Sequence, residues 1–187
     1  MALNRSTSAF IQTGSLATVN DTTPALPGQV GKVVEAPGTD ASPSTKNVAG
    51  VYQYVQRATA ATAGMVKGNV VFWADVDDFI VTDIPASSIG GAANNLPAGL
   101  ALGTLPAAGK YGFIQVAGIG VGLSAGAVST TGFQLAVDVA ATPAAIKAQA
   151  VSTLVDAFIP VVGKALGAVT AATLTLPMTV SFPRIGW

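Results

Sequence analysis

The chain has 187 residues, enough for one domain with a real core plus an appendage. Half are hydrophobic, aromatics are 6%, and charged residues are only 10%, against about 25% in ordinary soluble domains. Nine basic residues cancel nine acidic ones, and there is no Cys and no His. Disulfides, thiolate or imidazole metal sites, cysteine nucleophiles and Ser-His-Asp triads are therefore excluded, and no basic cluster exists to track a nucleic-acid backbone.

A weakly charged surface of zero net charge favours association, so a homo-oligomer is expected over a monomer with a Ser/Thr-rich surface. The start, Met1 to Ser8, lacks the continuous apolar core of a signal peptide. The uncharged runs Tyr111 to Val137 and Ala165 to Pro183 are broken by closely spaced Gly, Thr and Ser and by Pro177. They fit β alternation better than a membrane helix, so no membrane partner is expected.

Residues 1–28 carry scattered apolar positions among Ser, Thr, Asn and Pro, which suits an extended N-terminal arm. Twenty extended residues reach roughly 65 Å, far enough to cross onto a neighbouring subunit. Phe10, Ile11 and Leu16 are its candidate interface residues. Disorder in isolation is the other reading of this stretch. Gln29–Ala36 reads as a short strand, residues 37–47 as a Pro/Gly/Ser loop, and Val48–Arg57 as a second strand rich in β-formers. Residues 29–63 thus form a strand pair and linker on a main domain spanning 64–187. Val70–Trp73 and Phe79–Thr82 flank Ala74–Asp78 as a hairpin with an acidic turn. Ile84–Pro97 is a charge-free loop.

From Gly109 to Leu123 the alternation of Tyr111, Phe113 and Gln115 against Ile114 and Val116 predicts a strand buried on both faces, running into a glycine corner at 118–122. This region has an echo. Gly99-Leu-Ala-Leu-Gly103 returns 64 residues later as Gly163-Lys-Ala-Leu-Gly167, which places Val116 on Val180 without a gap. One strand-turn-strand unit is used twice, at about 99–116 and 163–180. Between the copies, Ala127–Thr131 and Phe133–Val139 read as strands. Thr142 as N-cap and Pro143 at the first helical position predict one short helix over 143–149. The tail Phe182–Trp187 adds Arg184 and Trp187 as candidate interface residues, Trp being favoured in binding hot spots.

Each possible site has a plainer reading beside it. Gly120-Val-Gly122-Leu-Ser-Ala125 formally fits a dinucleotide-binding turn, with Asp138 at a suitable distance, but Leu123–Thr131 makes a poor helix and a β corner is the better reading. Asp75, Asp77, Asp78 and Asp83 suggest calcium, but Ile80 and Ala86 stand where an EF-hand needs Gly and Glu, so a solvated turn is expected. Nothing in the sequence sets a lysine beside a serine in a desolvated pocket. Trp73, Tyr111 and Phe113 read as core. No catalytic residue, metal or cofactor is expected, and the chain is not read as an enzyme.

The Gly-x-Ala-Leu-Gly turn, the Phe113-Ile-Gln-Val-Ala-Gly118 strand and the Val161-Val-Gly-Lys-Ala-Leu166 return resemble the head decoration (capsid cement) proteins of tailed bacteriophages over roughly residues 64–183. The resemblance implies a compact β-barrel-like fold and a structural virion protein on the capsid exterior. It also implies the major capsid protein of the assembled shell as partner, and association as an oligomer, often a trimer. It carries no functional residue over. The alternative is a carbohydrate- or surface-binding β module of a phage tail or fibre. The fold expected is all-β: a compact β-barrel-like or β-sandwich domain with an extended N-terminal arm and at most one or two short helices.

Overall fold

A computed structural model describes residues 16–24, 29–36, 50–60, 64–84, 96–104, 106–129, 131–138, 145–148 and 161–182. Ten strands make up the described chain: β1 (Val33–Ala36), β2 (Gly50–Arg57), β3 (Val70–Asp75), β4 (Ile80–Thr82), β5 (Pro97–Ala101), β6 (Tyr111–Leu123), β7 (Gln134–Asp138), β8 (Ala145–Ala148), β9 (Val161–Ala165) and β10 (Thr175–Ser181). The protein is all-β; among the described residues the only helical piece is the 3-10 turn Leu16–Thr18.

Sheet neighbours run β1-β2-β4-β3-β5-β6-β10-β9-β7-β8, and β6 pairs again with β2. That second pairing closes β2, β4, β3, β5 and β6 into a five-stranded barrel. Strands β10, β9, β7 and β8 continue outside it, and β1 lies beside β2. Every pairing is antiparallel except the short one between β2 and β4.

β6 joins the two regions. Its 13 residues extend roughly 43 Å at strand rise, longer than the barrel needs. The first half pairs with β2 and β5, the second half with β10. A register shift opposite Val51 and Tyr52 marks the change, with Gln115 paired to Tyr52 and Ala117 to Val51. Here the Gln115 amide donates to the carbonyls of Ala117 (3.3 Å) and Ile119 (2.9 Å), bracing the irregular backbone. Gly120 makes room for it, since a Cβ there would collide with the Gln115 carboxamide. The glycine corner expected at 118–122 is instead a continuous strand. The small residues serve close side-chain approach rather than a turn.

Three apolar clusters give the layers. Val55, Val71, Trp73, Val81, Ala101 and Ile114 come from all five barrel strands and fill the barrel. Val70, Phe72 and Leu100, on the opposite face of β3 and β5, pack against Leu135, Ile146, Val162, Leu176 and Met178 of the outer sheet. Tyr52, Tyr54 and Phe113 form a third cluster on the far side of β2 and β6, with Leu16, Val19, Val30, Val34 and Tyr111 against it. The period-two alternation of β3 sends Val71 and Trp73 one way and Val70 and Phe72 the other, and both faces find a core.

The two copies of the repeated unit form hairpins of identical register. Leu100 pairs Gln115 and Ala101 pairs Ile114 in β5–β6; Lys164 pairs Thr179 and Ala165 pairs Met178 in β9–β10. Each residue of the second set lies 64 positions after its counterpart.

Several expected elements change. In place of the helix expected over 143–149, the described residues 145–148 form a strand: β8 pairs with β7 along four residues, Ile146 bridges Ser124 on another side, and Ala125 N–H donates to the Ile146 carbonyl at 2.7 Å. Backbone partners on both sides override a marginal helix propensity, and the fully buried Ile146 fixes the strand in the core. The strand expected over 127–131 reduces to a bridge between Val128 and Val169. The strand expected over 29–36 begins only at Val33, after a turn closed by Lys32 N–H to the Gln29 carbonyl. At that turn Gly31 has φ +86°, and the Phe79 ring from the β3–β4 turn lies where a Cβ would stand, tying β1 to the barrel.

Residues 16–24, read above as part of an extended arm reaching residue 28, lie against the barrel.

Candidate functional site

Of the candidate interface residues, Leu16 packs against the tyrosine cluster; Phe10, Ile11, Arg184 and Trp187 lie outside the described residues. All three tyrosines of the chain sit in or against that cluster. Tyr54 stacks near Tyr111 at 6.2 Å between ring centroids and tilts against Phe113 at 5.0 Å. Burial pushes the Tyr52 hydroxyl above its ordinary pKa of 10.0.

Polar contacts set the strap of residues 16–24 in place over these rings. Asp21 and Tyr111 exchange both backbone hydrogen bonds at 2.9 Å, forming a one-residue antiparallel ladder on β6. The Tyr54 hydroxyl donates to the Asp21 carboxylate at 2.5 Å. Ala107 N–H donates to Asn20 Oδ1 at 2.8 Å, and Lys110 Nζ to Thr22 Oγ1 at 2.8 Å. Sequence reasoning counted only the apolar side chains of this stretch and so missed the grip that its polar groups supply.

A second feature lies at the end of the barrel where β2 and β4 meet. Arg57 and Asp83 form an ion pair at 2.9 Å, with side chains 8% and 0% exposed. The other guanidinium arm of Arg57 donates to the Pro106 carbonyl at 3.2 Å. Arg57 Nε and Asp83 Oδ1 carry no hydrogen bond among the described residues. Arg57 also faces a cleft of about 270 Å³, shared with Gln56, Thr59, Ala74, Asp75 and Ile80. One signal for this pair was available in the sequence. Arg57 follows the inward-facing Val55 by two residues, and Asp83 follows the inward-facing Val81 by two, so both continue the buried face of their strands.

The structure separates the four aspartates weighed as a calcium site. Asp75 Oδ1 accepts the N–H groups of Asp77 and Asp78 and shapes an exposed turn, while Asp83 is spent on Arg57. No group of three potential metal ligands occurs among the described residues. The glycine motif at 120–125 holds the end of β6, followed by the Ser124 bridge to Ile146, so no helix starts there to receive a pyrophosphate. Trp73 and Phe113 are core, and Tyr111 is half-buried.

The outer sheet presents a different surface. The residues of β10 that alternate with the buried Leu176, Met178 and Val180 are Thr175, Pro177, Thr179 and Ser181, all uncharged. Thr179 is flanked by Ile119, 39% exposed, and by Lys164, while Leu166, 41% exposed, bonds to the Pro177 carbonyl. This is an extended β face carrying methyl groups, hydroxyls and a single charge across three strands.

No protein-family model matches the chain, and no curated protein matches it.

Proposed function

We propose that this chain is a structural virion protein that binds an assembled phage capsid from outside and reinforces it, working as a homo-oligomer, with a trimer as the expected form. The observation that carries the reading is the exposed face of β6, β10 and β9. It is uncharged apart from Lys164 and carries the exposed Ile119 and Leu166 beside the half-buried Pro177, a composition that suits contact with another protein surface. The Gly/Ala/Val-rich composition and the motif resemblance over residues 64–183 support the same reading.

A carbohydrate-binding module of a tail or fibre is the second reading. The cleft beside Arg57 favours it, because Gln56, Thr59 and Asp75 offer hydrogen-bonding groups to a sugar. Against it, Trp73, the one tryptophan among the described residues, has its ring packed in the barrel core and not available to stack on a sugar.

Sedimentation of the protein alone and with purified phage shells separates the two. Saturable binding to shells, together with a raised shell disruption temperature, is the result expected. Absence of binding to shells, with binding to a glycan array, would replace decoration by the second reading.

A further inference from the structure

The seams that close the barrel are unequal. β2 and β6 pair along seven residues, whereas β2 and β4 meet at two, Gln56 with Ile80 and Arg57 with Val81. β4 itself has three residues. Across this seam Gln56 N–H donates to the Phe79 carbonyl at 3.1 Å, and Ala58 N–H to the Val81 carbonyl at 2.7 Å. Gln56 and Ile80 alternate with the inward-facing Val55 and Val81, so they mark the outer side of the seam. That side opens on the 270 Å³ cleft, walled by Gln56, Ala58 and Thr59 from β2 and its continuation and by Ala74, Asp75 and Ile80 from the β3–β4 hairpin.

Arg57 stands on the fixed side. Its N–H donates to the Lys110 carbonyl at 2.9 Å, its carbonyl accepts Gly109 N–H at 2.8 Å, and Nη1 donates to the Pro106 carbonyl at 3.2 Å. Only Nη2 crosses the seam, to Asp83. Arg57 Nε and Asp83 Oδ1 are buried without partners, so water reaching them on opening offsets part of the cost of separating the pair. The hairpin opposite holds together as one piece. Trp73 pairs with Val81 and Phe72 with Thr82, and Asp75 Oδ1 fixes the turn through the N–H groups of Asp77 and Asp78. Phe79 has φ +54°, a conformation that costs a bulky side chain free energy, and its carbonyl is the one Gln56 bonds across the seam.

We propose that the β3–β4 hairpin is a flap: β4 parts from β2 while the rest of the barrel stays closed, and the Arg57–Asp83 pair is its latch. Local opening of this kind belongs to elements held by few bonds and lies below global unfolding in free energy. It gives solvent a path from the cleft to the inward face, where Trp73 and Val81 are buried. The inference is independent of the capsid reading.

Three consecutive amides test it. Gln56 and Ala58 N–H point across the seam, and Arg57 N–H points the other way, to Lys110. Parting β4 from β2 frees the first and third and leaves the second bonded. Fraying of β2 or global unfolding frees all three. Native-state hydrogen exchange of the full chain, read by NMR, should give Gln56 and Ala58 protection factors at least about tenfold below that of Arg57. Equal protection at the three would overturn the proposal. A second measurement locks the seam. The chain has no native cysteine, and Gln56→Cys with Ile80→Cys places two cysteines at paired positions, within disulfide reach. Oxidation should raise the protection of Ala58 to that of Arg57, and reduction should restore the difference; Ala58 exchange that ignores the disulfide sinks the flap. The latch is broken in the open and the unfolded state alike, so Asp83→Asn should lower protection at Ala58 and Arg57 by the same factor. A loss at Arg57 alone would mean that the hairpin opens with the pair intact, and the latch would be wrong.

Discussion

The hairpins β5–β6 and β9–β10 share a register and a sequence skeleton, yet one is barrel wall and the other an outer sheet. Their common face is the same: Ala101, Ile114 and Val116 in the first, Ala165, Met178 and Val180 in the second, all buried. Their other faces diverge. The first turns Leu100 and Phe113 into two further cores, where the second has Lys164 and Pro177. A hairpin apolar on both faces must be covered twice, and closure of the barrel with a layer on either side does that. A hairpin apolar on one face needs a single cover. One changed face, on an unchanged backbone plan, sets the place of each copy in the fold.

The strongest way to break this comparison is to give the first hairpin the second one's residue. Leu100→Lys places an ammonium where the side chain is fully buried between barrel and outer sheet. No partner waits there, and the loss should exceed about 4 kcal/mol, enough to abolish folding of a marginally stable domain. Circular dichroism and denaturant titration would check it. A folded variant of near-native stability would mean that the two-sided burial of β5 does not decide its position.

The barrel end differs from the outer sheet in another respect, since it holds a buried ion pair. Asp83→Ala leaves the Arg57 guanidinium buried without its counter-charge and should cost about 3–5 kcal/mol. Replacing both, with Arg57→Met and Asp83→Leu, should recover most of that loss, because desolvating two charges offsets much of their attraction. If the double variant is as unstable as the single one, the pair contributes more than its mutual compensation.

A smaller effect separates Gln115 and Thr179, which occupy equivalent positions of the two hairpins. Gln115→Ala removes the amide that braces the β6 irregularity and leaves backbone carbonyls without that donor, an expected cost of about 1–3 kcal/mol. Thr179→Ala removes a hydroxyl that accepts the exposed Lys164 N–H and should cost under about 1 kcal/mol. Equal costs by urea titration would erase the distinction between a junction residue and a surface one.

How much of this was open to the sequence follows from the range of each interaction. The shared hairpin register was legible because a 64-residue repeat encodes it in residues only about 15 apart, and the β3–β4 hairpin was legible from its local alternation. The strand at Ala145–Ala148 was not, because its state is decided by Leu135 to Asp138 and Ser124, partners that local spacing does not reveal. The strap was missed because the apolar content of residues 16–24 is low and its hold comes from Tyr54 and Tyr111, which follow it by 33 and 90 positions. Arg57 and Asp83 become partners only once β2 and β4 align in parallel, through two residue pairs whose members lie 24 positions apart.

Alkaline pH sharpens the contrast between the strap face and the outer sheet. The folded-state pKa of Tyr52 is raised by burial, so the neutral hydroxyl is favoured in the native state. The native state then holds this proton where the unfolded state releases it, and stability is lost as pH rises above 10.0, the unfolded value, towards the folded one. Below that pH the group contributes no slope. In Tyr52→Phe the stability measured by urea titration should fall less steeply above pH 10 than in the native chain, and an unchanged slope would show that Tyr52 titrates as freely as in the unfolded chain.

The reverse exchange of the first prediction should be nearly silent in stability. Lys164→Leu gives the second hairpin the residue that the first carries at the equivalent position, but this side chain points away from the core and is exposed. Removing it breaks no buried contact, so the change should stay within about 0.5 kcal/mol. Its consequence belongs to the surface. Lys164 is the single charge among Ile119, Pro177, Thr179 and Leu166, and without it that face is uncharged and gains a further apolar side chain. Self-association by sedimentation should therefore rise in Lys164→Leu while the denaturation midpoint holds, and added salt should leave the rise in place because burial, not charge, drives it. A large stability change would mean that β9 is covered on both faces like β5. Unchanged association would mean that this face does not contact other copies of the chain.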